Sequence, residues 1–250
     1  MARCIAQHDP PRERTSMTVT IQIQTLDGQG AFDAYVAEPA LPPKTAIIVI
    51  QEIFGVNAGI HSKCDRLAAE GYLALAPDLF WPIAPGIQLD PDVPEQMQQA
   101  LGLMGKFDQD AGIRDIEATI RTARGLLAGG VGKVGVVGYC LGGRLAFMTA
   151  ARTDVDASVG YYGVGIDGLL RESQAITKPV LLHIPEEDHF VNKTAQAAMH
   201  DGLDDHPKVT LYDYPGEDHG FATEFGARRS DAAAQRADAR TAAFFAEHLA

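Results

Sequence analysis

From Thr18 to Thr25 the chain alternates, with Val19, Ile21 and Ile23 standing between Thr18, Thr20 and Gln22. Period two is the signature of a half-buried strand. Asp27-Gly28 is a hairpin turn signal, and Ala31 to Ala37 reads as the return strand, so the chain opens with an antiparallel β-hairpin. Pro39, Pro42 and Pro43 end it. The pattern then changes. Ala46 to Ile50 is continuously apolar, as expected of a central strand covered on both faces, and Ile60 to Glu70 has helical spacing, with Leu67 and Ala68 on its apolar side and Gly71 after it. Tyr72 to Ala76 is the next strand. Pro77 to Pro94, rich in proline and glycine, reads as a long loop over the strand ends, and loops of that length are commonly functional. Glu95 to Lys106 and Gln109 to Ala128 follow as helices, stopped by Gly129 and Gly130. Strands over 134–137, 157–161, 180–184 and 209–214 alternate with helices over 145–151, 194–203 and 227–249. Alternation of this kind predicts an α/β fold with a mainly parallel sheet and helices on both faces. Ligands then bind at the carboxyl ends of the strands.

Composition narrows the reading. The chain has 250 residues, 46% of them hydrophobic, enough for one substantial core. We expect one α/β domain over residues 17–250 behind a flexible leader over residues 1–16, which holds Arg3, Arg12, Arg14 and Pro10-Pro11 but no signal-peptide apolar segment. Met17 opens the first strand and competes with Met1 as initiator. Lys and Arg number 21 against 33 Asp and Glu, a net charge of −12, which repels a phosphate backbone and argues against nucleic acid as a partner. No apolar run reaches the roughly 18 residues of a membrane span. Cys4, Cys64 and Cys140 are sparse and odd in number, which argues against a disulfide framework or a structural zinc site and fits a reducing cytoplasm. Neither monomer nor homodimer is favoured by the Ala-rich final helix.

The densest chemistry lies at Gly138-Tyr139-Cys140-Leu141-Gly142-Gly143. A β-branched run leads in and an apolar helical pattern leads out. This is the strand–turn–helix setting of a nucleophile elbow, with cysteine as the nucleophile. Such a turn strains the backbone and admits only small neighbours. At a helix N-terminus the dipole and free N–H groups are expected to favour thiolate.

A thiol nucleophile needs a base, and the base an orienting acid. Two later strands leave acidic turns: Pro185-Glu186-Glu187-Asp188-His189, and Pro215-Gly216-Glu217-Asp218-His219-Gly220-Phe221. Nucleophile, acid, histidine is the chain order of α/β hydrolases. His219 is the candidate base; Glu186, Glu187 and Asp188 compete as its orienter, and His183 and His189 read as structural. Gln51-Glu52-Ile53-Phe54-Gly55 leaves the central strand at the same edge. We expect the backbone N–H groups of Ile53 and Leu141 to form an oxyanion hole. A carboxylate at Glu52 would raise the pKa of a nearby thiol or accept its proton.

With these residues assembled, the chain resembles the dienelactone hydrolase family (carboxymethylenebutenolidase-like α/β hydrolases) from about Val19 to the C-terminus. The resemblance rests on Gln51-Glu52-Ile53-Phe54-Gly55, Ala76-Pro77-Asp78-Leu79-Phe80, Gly138-Tyr139-Cys140-Leu141-Gly142-Gly143, Glu187-Asp188-His189-Phe190 and His219-Gly220-Phe221, in that order. It implies the α/β-hydrolase fold and a Cys140–His219–Asp188 triad. It further implies a glutamate beside the thiol at Glu52, a small ester or lactone as substrate, and no metal or organic cofactor. Dienelactone-specific members grip a substrate carboxylate with two arginines; here those positions are Pro82 and Thr223, and each lost charge-assisted bond is worth about 1.5–3 kcal/mol. Arg144, Arg228 and Arg229 are the candidate substitutes for those missing cations. Phe54, Phe80, Trp81 and Phe221 are candidate apolar pocket walls. The competing reading is a non-catalytic or redox-sensing protein on the same scaffold, with a low-pKa Cys140 as the sensor.

Overall fold

The computed structural model describes residues 17–250; the leader expected over residues 1–16, the choice of initiator and Cys4 lie outside them. The elements are strands β1 (Met17–Gln24), β2 (Ala31–Glu38), β3 (Ala46–Ile50), β4 (Leu73–Pro77), β5 (Val134–Tyr139), β6 (Ala157–Tyr161), β7 (Val180–Pro185) and β8 (Val209–Tyr214), and helices α1 (Ala58–Ala69), α2 (Pro94–Met104), α3 (Gln109–Leu126), α4 (Leu141–Arg152), α5 (Lys193–Leu203) and α6 (Asp231–Leu249). They build one eight-stranded sheet in the order β1-β2-β4-β3-β5-β6-β7-β8. The opening hairpin is antiparallel, and β2 pairs antiparallel with β4. Every later pairing is parallel. This is the α/β-hydrolase fold expected above.

The continuous apolar strands are explained by cover on both faces. Along β3, Ile48 and Ile50 pack with Ile113, Ile116 and Ile120 of α3 and Leu145 of α4. Ile47 and Val49 point the other way, to Ile60 and Cys64 of α1 and to Ala237 and Phe245 of α6. Burying each such aliphatic side chain contributes about 1.5–3 kcal/mol.

Two helix starts differ from the sequence expectation by a full turn. Helix α4 begins at Leu141, directly after the elbow, instead of at Leu145. Helix α6 begins at Asp231 instead of Ala227. The backbone before α6 is held in loop form by tertiary bonds: the Ala227 N–H donates to Asp92 and the Ser230 N–H to the Phe221 carbonyl. A 3-10 segment, Ile166–Ala175, has no counterpart in the sequence reading. The proline-rich loop after β4 is folded around Asp78, whose carboxylate accepts the N–H of Phe80 at 3.0 Å and of Gly86 at 2.7 Å.

Topology places the site. The chain runs from β3 to β4 on one side, then returns to β5 on the other side of β3. The carboxyl ends of β3 and β5 therefore flank a topological switch point, where open α/β sheets leave a crevice. Ile50 pairs with Gly138, Tyr139 with Tyr161 and Tyr161 with His183, so the loops after β3, β5, β6 and β7 all emerge at one edge.

Candidate active site

Cys140 sits between β5 and α4 with φ 55° and ψ −114°. A non-glycine residue in this region stores about 1–3 kcal/mol. The glycines around it are dictated by close approach. A Cβ on Gly138 would stand 1.9 Å from the Gly142 carbonyl oxygen, one on Gly142 2.5 Å from the Gln51 and Ile50 oxygens, and one on Gly143 2.6 Å from the Tyr161 oxygen. The Ile50–Gln51 backbone thus lies directly over the first turn of α4. Its early N–H groups have no intrahelical acceptor, and that of Leu141 faces the thiol.

The thiol itself departs from expectation. Burial, and then the Glu52 carboxylate, push its pKa up, against the smaller opposing effects of the Leu141 N–H and Arg228. Desolvation outweighs the helix dipole here, so the resting group is a neutral thiol. A redox sensor needs an exposed, low-pKa thiol; Cys140 is 7% exposed.

Of the three competing acids, Asp188 reaches the imidazole. Its Oδ2 lies 2.9 Å and its Oδ1 3.1 Å from His219 Nδ1, with both side chains almost fully buried. Oδ1 also accepts the N–H of Phe190 at 2.8 Å and of Val191 at 3.1 Å. Glu187 points outward to Lys193. The His219 ring is held edge-on between Phe190 and Tyr162, with centroids at 4.7 and 4.9 Å. His183 is structural: it bonds the Tyr214 hydroxyl at 2.7 Å and Thr241 at 2.9 Å, and burial lowers its pKa to about 3. His189 is exposed and pairs with Asp218 at 2.7 Å. The ligand atoms of Asp188, His189 and Asp218 lie within 4.8 Å of one another, spacing that could hold a cation, but His189 and Asp218 already bond each other, and Asp188 is taken up by His219 and the N–H groups of Phe190 and Val191.

Glu52 stands opposite, its Oε2 3.9 Å from Arg228 Nη2. Arg228 also lies over the Phe54 ring at 5.4 Å and against Gly220. The other two basic candidates are engaged elsewhere: Arg144 with Gln109 and the Gly165 carbonyl, Arg229 with Asp231 and the Thr223 carbonyl. Phe221 packs on Tyr162 at 5.8 Å. Phe80 and Trp81 are taken up by the core instead of the pocket. Phe80 meets Phe107 edge-on, and Trp81 stacks on Phe32 and donates to Asp115 at 2.9 Å. A cavity of about 370 Å³ borders the site on the Glu52 and Thr223 side, reaching the start of α1 and Gln88.

Two further residues escaped the sequence reading. Lys63, buried in α1, donates to the Ala222 carbonyl at 2.9 Å and to Glu224 at 3.0 Å, pinning the turn that carries His219. Tyr162 follows β6 at the elbow's edge of the sheet; its position in Tyr161-Tyr162-Gly163 at a strand end was the available signal. Among the described residues, six buried side-chain polar atoms have no hydrogen-bond partner. They are His219 Nε2, Glu52 Oε1, Tyr162 Oη, Thr223 Oγ1 and Arg228 Nη2, with Ser158 Oγ as the sixth. Unpaired buried polar groups are rare and costly, and five of the six sit around this elbow.

A family model for the dienelactone hydrolase family matches residues 32–249. The chain belongs to the dienelactone hydrolase family. Members hydrolyse ester or lactone bonds, and this chain is such a hydrolase. It is 46% identical to a putative carboxymethylenebutenolidase of Azospirillum brasilense over 221 residues, covering 88% of this chain and 95% of the relative. It is 41% identical to a carboxymethylenebutenolidase of Pseudomonas putida over 230 residues, 92% and 97% of the two chains. A crystal structure of a putative dienelactone hydrolase from Klebsiella pneumoniae superposes with a TM-score of 0.76 at 27% identity, covering 92% of this chain and 99% of that one. Among the described residues, no helix is long and apolar enough to cross a membrane.

Proposed function

We propose that this dienelactone hydrolase family member cleaves small esters or lactones by thiol catalysis, with Cys140 as nucleophile, His219 as base and Asp188 as its orienter. The observation that carries the reading is the buried Asp188–His219 pair at 2.9 Å, its Nε2 unpartnered among the described residues, on a loop leaving the same sheet edge as the strained Cys140 turn. Because the resting thiol is neutral, the first step moves its proton to Nε2 as sulfur attacks the carbonyl carbon; hydrogen bonds of this kind tighten when substrate binds. The carbonyl oxygen becomes an oxyanion held by the N–H groups of Leu141 and Ile53. Collapse breaks the C–O bond, and the imidazolium returns the proton to the departing oxygen. Water, deprotonated by His219, then attacks the thioester. Expulsion of the sulfur, which regains its proton from His219, frees the acid. Glu52 modulates the thiol, its charge opposed by Arg228. Phe54 and Phe221 supply apolar walls. Pro82 and Thr223 leave no cation where dienelactone-specific members grip a carboxylate, so uncharged esters are favoured over dienelactone. We further propose a single domain over residues 17–250, cytoplasmic, monomeric or homodimeric, with no nucleic-acid or membrane partner.

The test is Cys140→Ala on a panel of esters and lactones that includes dienelactone. Turnover is expected to fall by about 10⁴-fold or more, and to persist at a reduced rate in Cys140→Ser. Wild-type turnover in Cys140→Ala refutes the assignment.

A further inference from the structure

Tyr162 carries two unfavourable features at one position. Its φ is +39°, and among the described residues only Cys140 shares a positive φ without being glycine. Its hydroxyl is buried without a hydrogen-bond partner among the described residues. The hydroxyl adds nothing to the packing of the ring. The ring already meets His219 at 4.9 Å, Phe221 at 5.8 Å and Tyr139 at 6.1 Å, and phenylalanine would make the same wall. The Tyr162 N–H, donating to the His183 carbonyl at 2.9 Å, fixes the backbone, and the ring packs in the same buried cluster as Cys140. Burial and the Glu52 carboxylate hold the phenol well above its ordinary pKa, so at neutral pH it remains a hydrogen-bond donor.

The geometry places this donor on one side of the reaction. The oxyanion is assigned to the backbone N–H groups of Leu141 and Ile53, at the loop that leaves β3 beside α4. The departing oxygen must instead lie toward His219, which protonates it, and the Tyr162 ring meets that imidazole edge-on at 4.9 Å. We propose that the Tyr162 hydroxyl hydrogen-bonds the departing oxygen of the ester or lactone, making it a further catalytic residue that selects for substrates with poor, alkoxide-like leaving groups. The inference rests on the thiol-hydrolase reading above. No proton is lost from the phenol: the sulfur–carbon bond forms, the carbon–oxygen bond breaks, and the proton reaching the oxygen is the one His219 took from the thiol. The tyrosine stabilises the developing charge on that oxygen by a hydrogen bond alone. A donor to an oxygen that leaves as a stable phenolate contributes little, and one to an oxygen that leaves as an alkoxide contributes much.

Tyr162→Phe tests this through kcat/KM, which reports the acylation step, on a series of acetate esters: p-nitrophenyl, phenyl, trifluoroethyl and ethyl. The expected loss grows as the leaving group worsens, from within about threefold for p-nitrophenyl acetate to about 10- to 100-fold for ethyl acetate. Thermal unfolding supplies the second readout. Removing an unpartnered hydroxyl is expected to leave Tm unchanged or raise it. A loss equal across the series overturns the proposal, since a merely structural role lowers all four alike. So does no loss at all, and so does a fall in Tm of several degrees, which would reveal a structural partner for the hydroxyl. Failure of the underlying reading has a separate signature, ester turnover that survives Cys140→Ala, and it overturns both.

Discussion

Asp188→Asn isolates the orienting role of the buried carboxylate, because the geometry dictates what the amide must do. Oδ1 accepts two backbone N–H groups, those of Phe190 and Val191. The amide oxygen takes that place, which turns the NH₂ group toward His219 Nδ1, now facing Oδ2 at 2.9 Å. A donor there forces Nδ1 to accept, so the ring proton moves to Nε2, the nitrogen that must receive the thiol proton. Flipping the amide would restore the productive tautomer but leave both buried N–H groups unpaired, at about 1–3 kcal/mol each. The handicap is thus about 2–6 kcal/mol, and at 1.36 kcal/mol per factor of ten kcat is expected to fall about 30- to 10⁴-fold. KM should stay within a few-fold, since Asp188 lies behind the imidazole. Steady-state hydrolysis of p-nitrophenyl acetate measures both constants, and circular dichroism confirms that the loop is intact. Retention of more than a third of wild-type kcat would refute the tautomer argument.

Glu52→Gln removes the like charge that helps raise the Cys140 thiol. The midpoint of iodoacetamide labelling against pH is therefore expected to move down, and an unchanged or higher midpoint would show that burial alone sets it. Gly142→Ala forces a Cβ to within 2.5 Å of two backbone oxygens; urea unfolding is expected to show a loss of about 1–3 kcal/mol, together with reduced activity, and neutral behaviour would contradict the close approach. His183, lowered from 6.5 to about 3 by burial, takes up its proton in the unfolded chain first. Stability therefore drops as pH falls below 6.5 toward 3 and is unaffected above 6.5. Urea unfolding of wild type should lose about 1–2 kcal/mol more between pH 7 and pH 5 than His183→Gln, and equal losses would remove His183 from the acid sensitivity.

Much of the fold was legible because the central strands β3, β4 and β5 are apolar runs with helical patterns between them. The hairpin, the strand after the elbow and the order of Cys140, Asp188 and His219 are local patterns of this kind. Strand order was not legible. That β2 joins the sheet through β4, and that β3 lies between β4 and β5, depends on crossovers no window of sequence contains. Phe80 and Trp81 look like pocket residues because they follow a strand end, yet Asp78 folds their loop inward and Phe107, Phe32 and Asp115 take up the rings. The start of α6 was misplaced because residues 227–230 are helix-compatible by composition and are held otherwise by Asp92 and the Phe221 carbonyl.

The amino-acid sequence by itself determined which chemical groups are present and at which strand ends they stand: a thiol on a glycine-lined turn, a histidine after β8, acids after β7, and a glutamate after β3. Tertiary structure decided which acid meets the histidine, which arginine faces Glu52, that the resting thiol is neutral, and that a tyrosine whose ring meets the imidazole has a buried hydroxyl unpaired among the described residues. The reason is physical. Residue type and periodicity are written along the chain. Desolvation, charge interaction and hydrogen-bond satisfaction depend instead on groups brought within a few ångströms from distant segments, as Asp188 and His219 are.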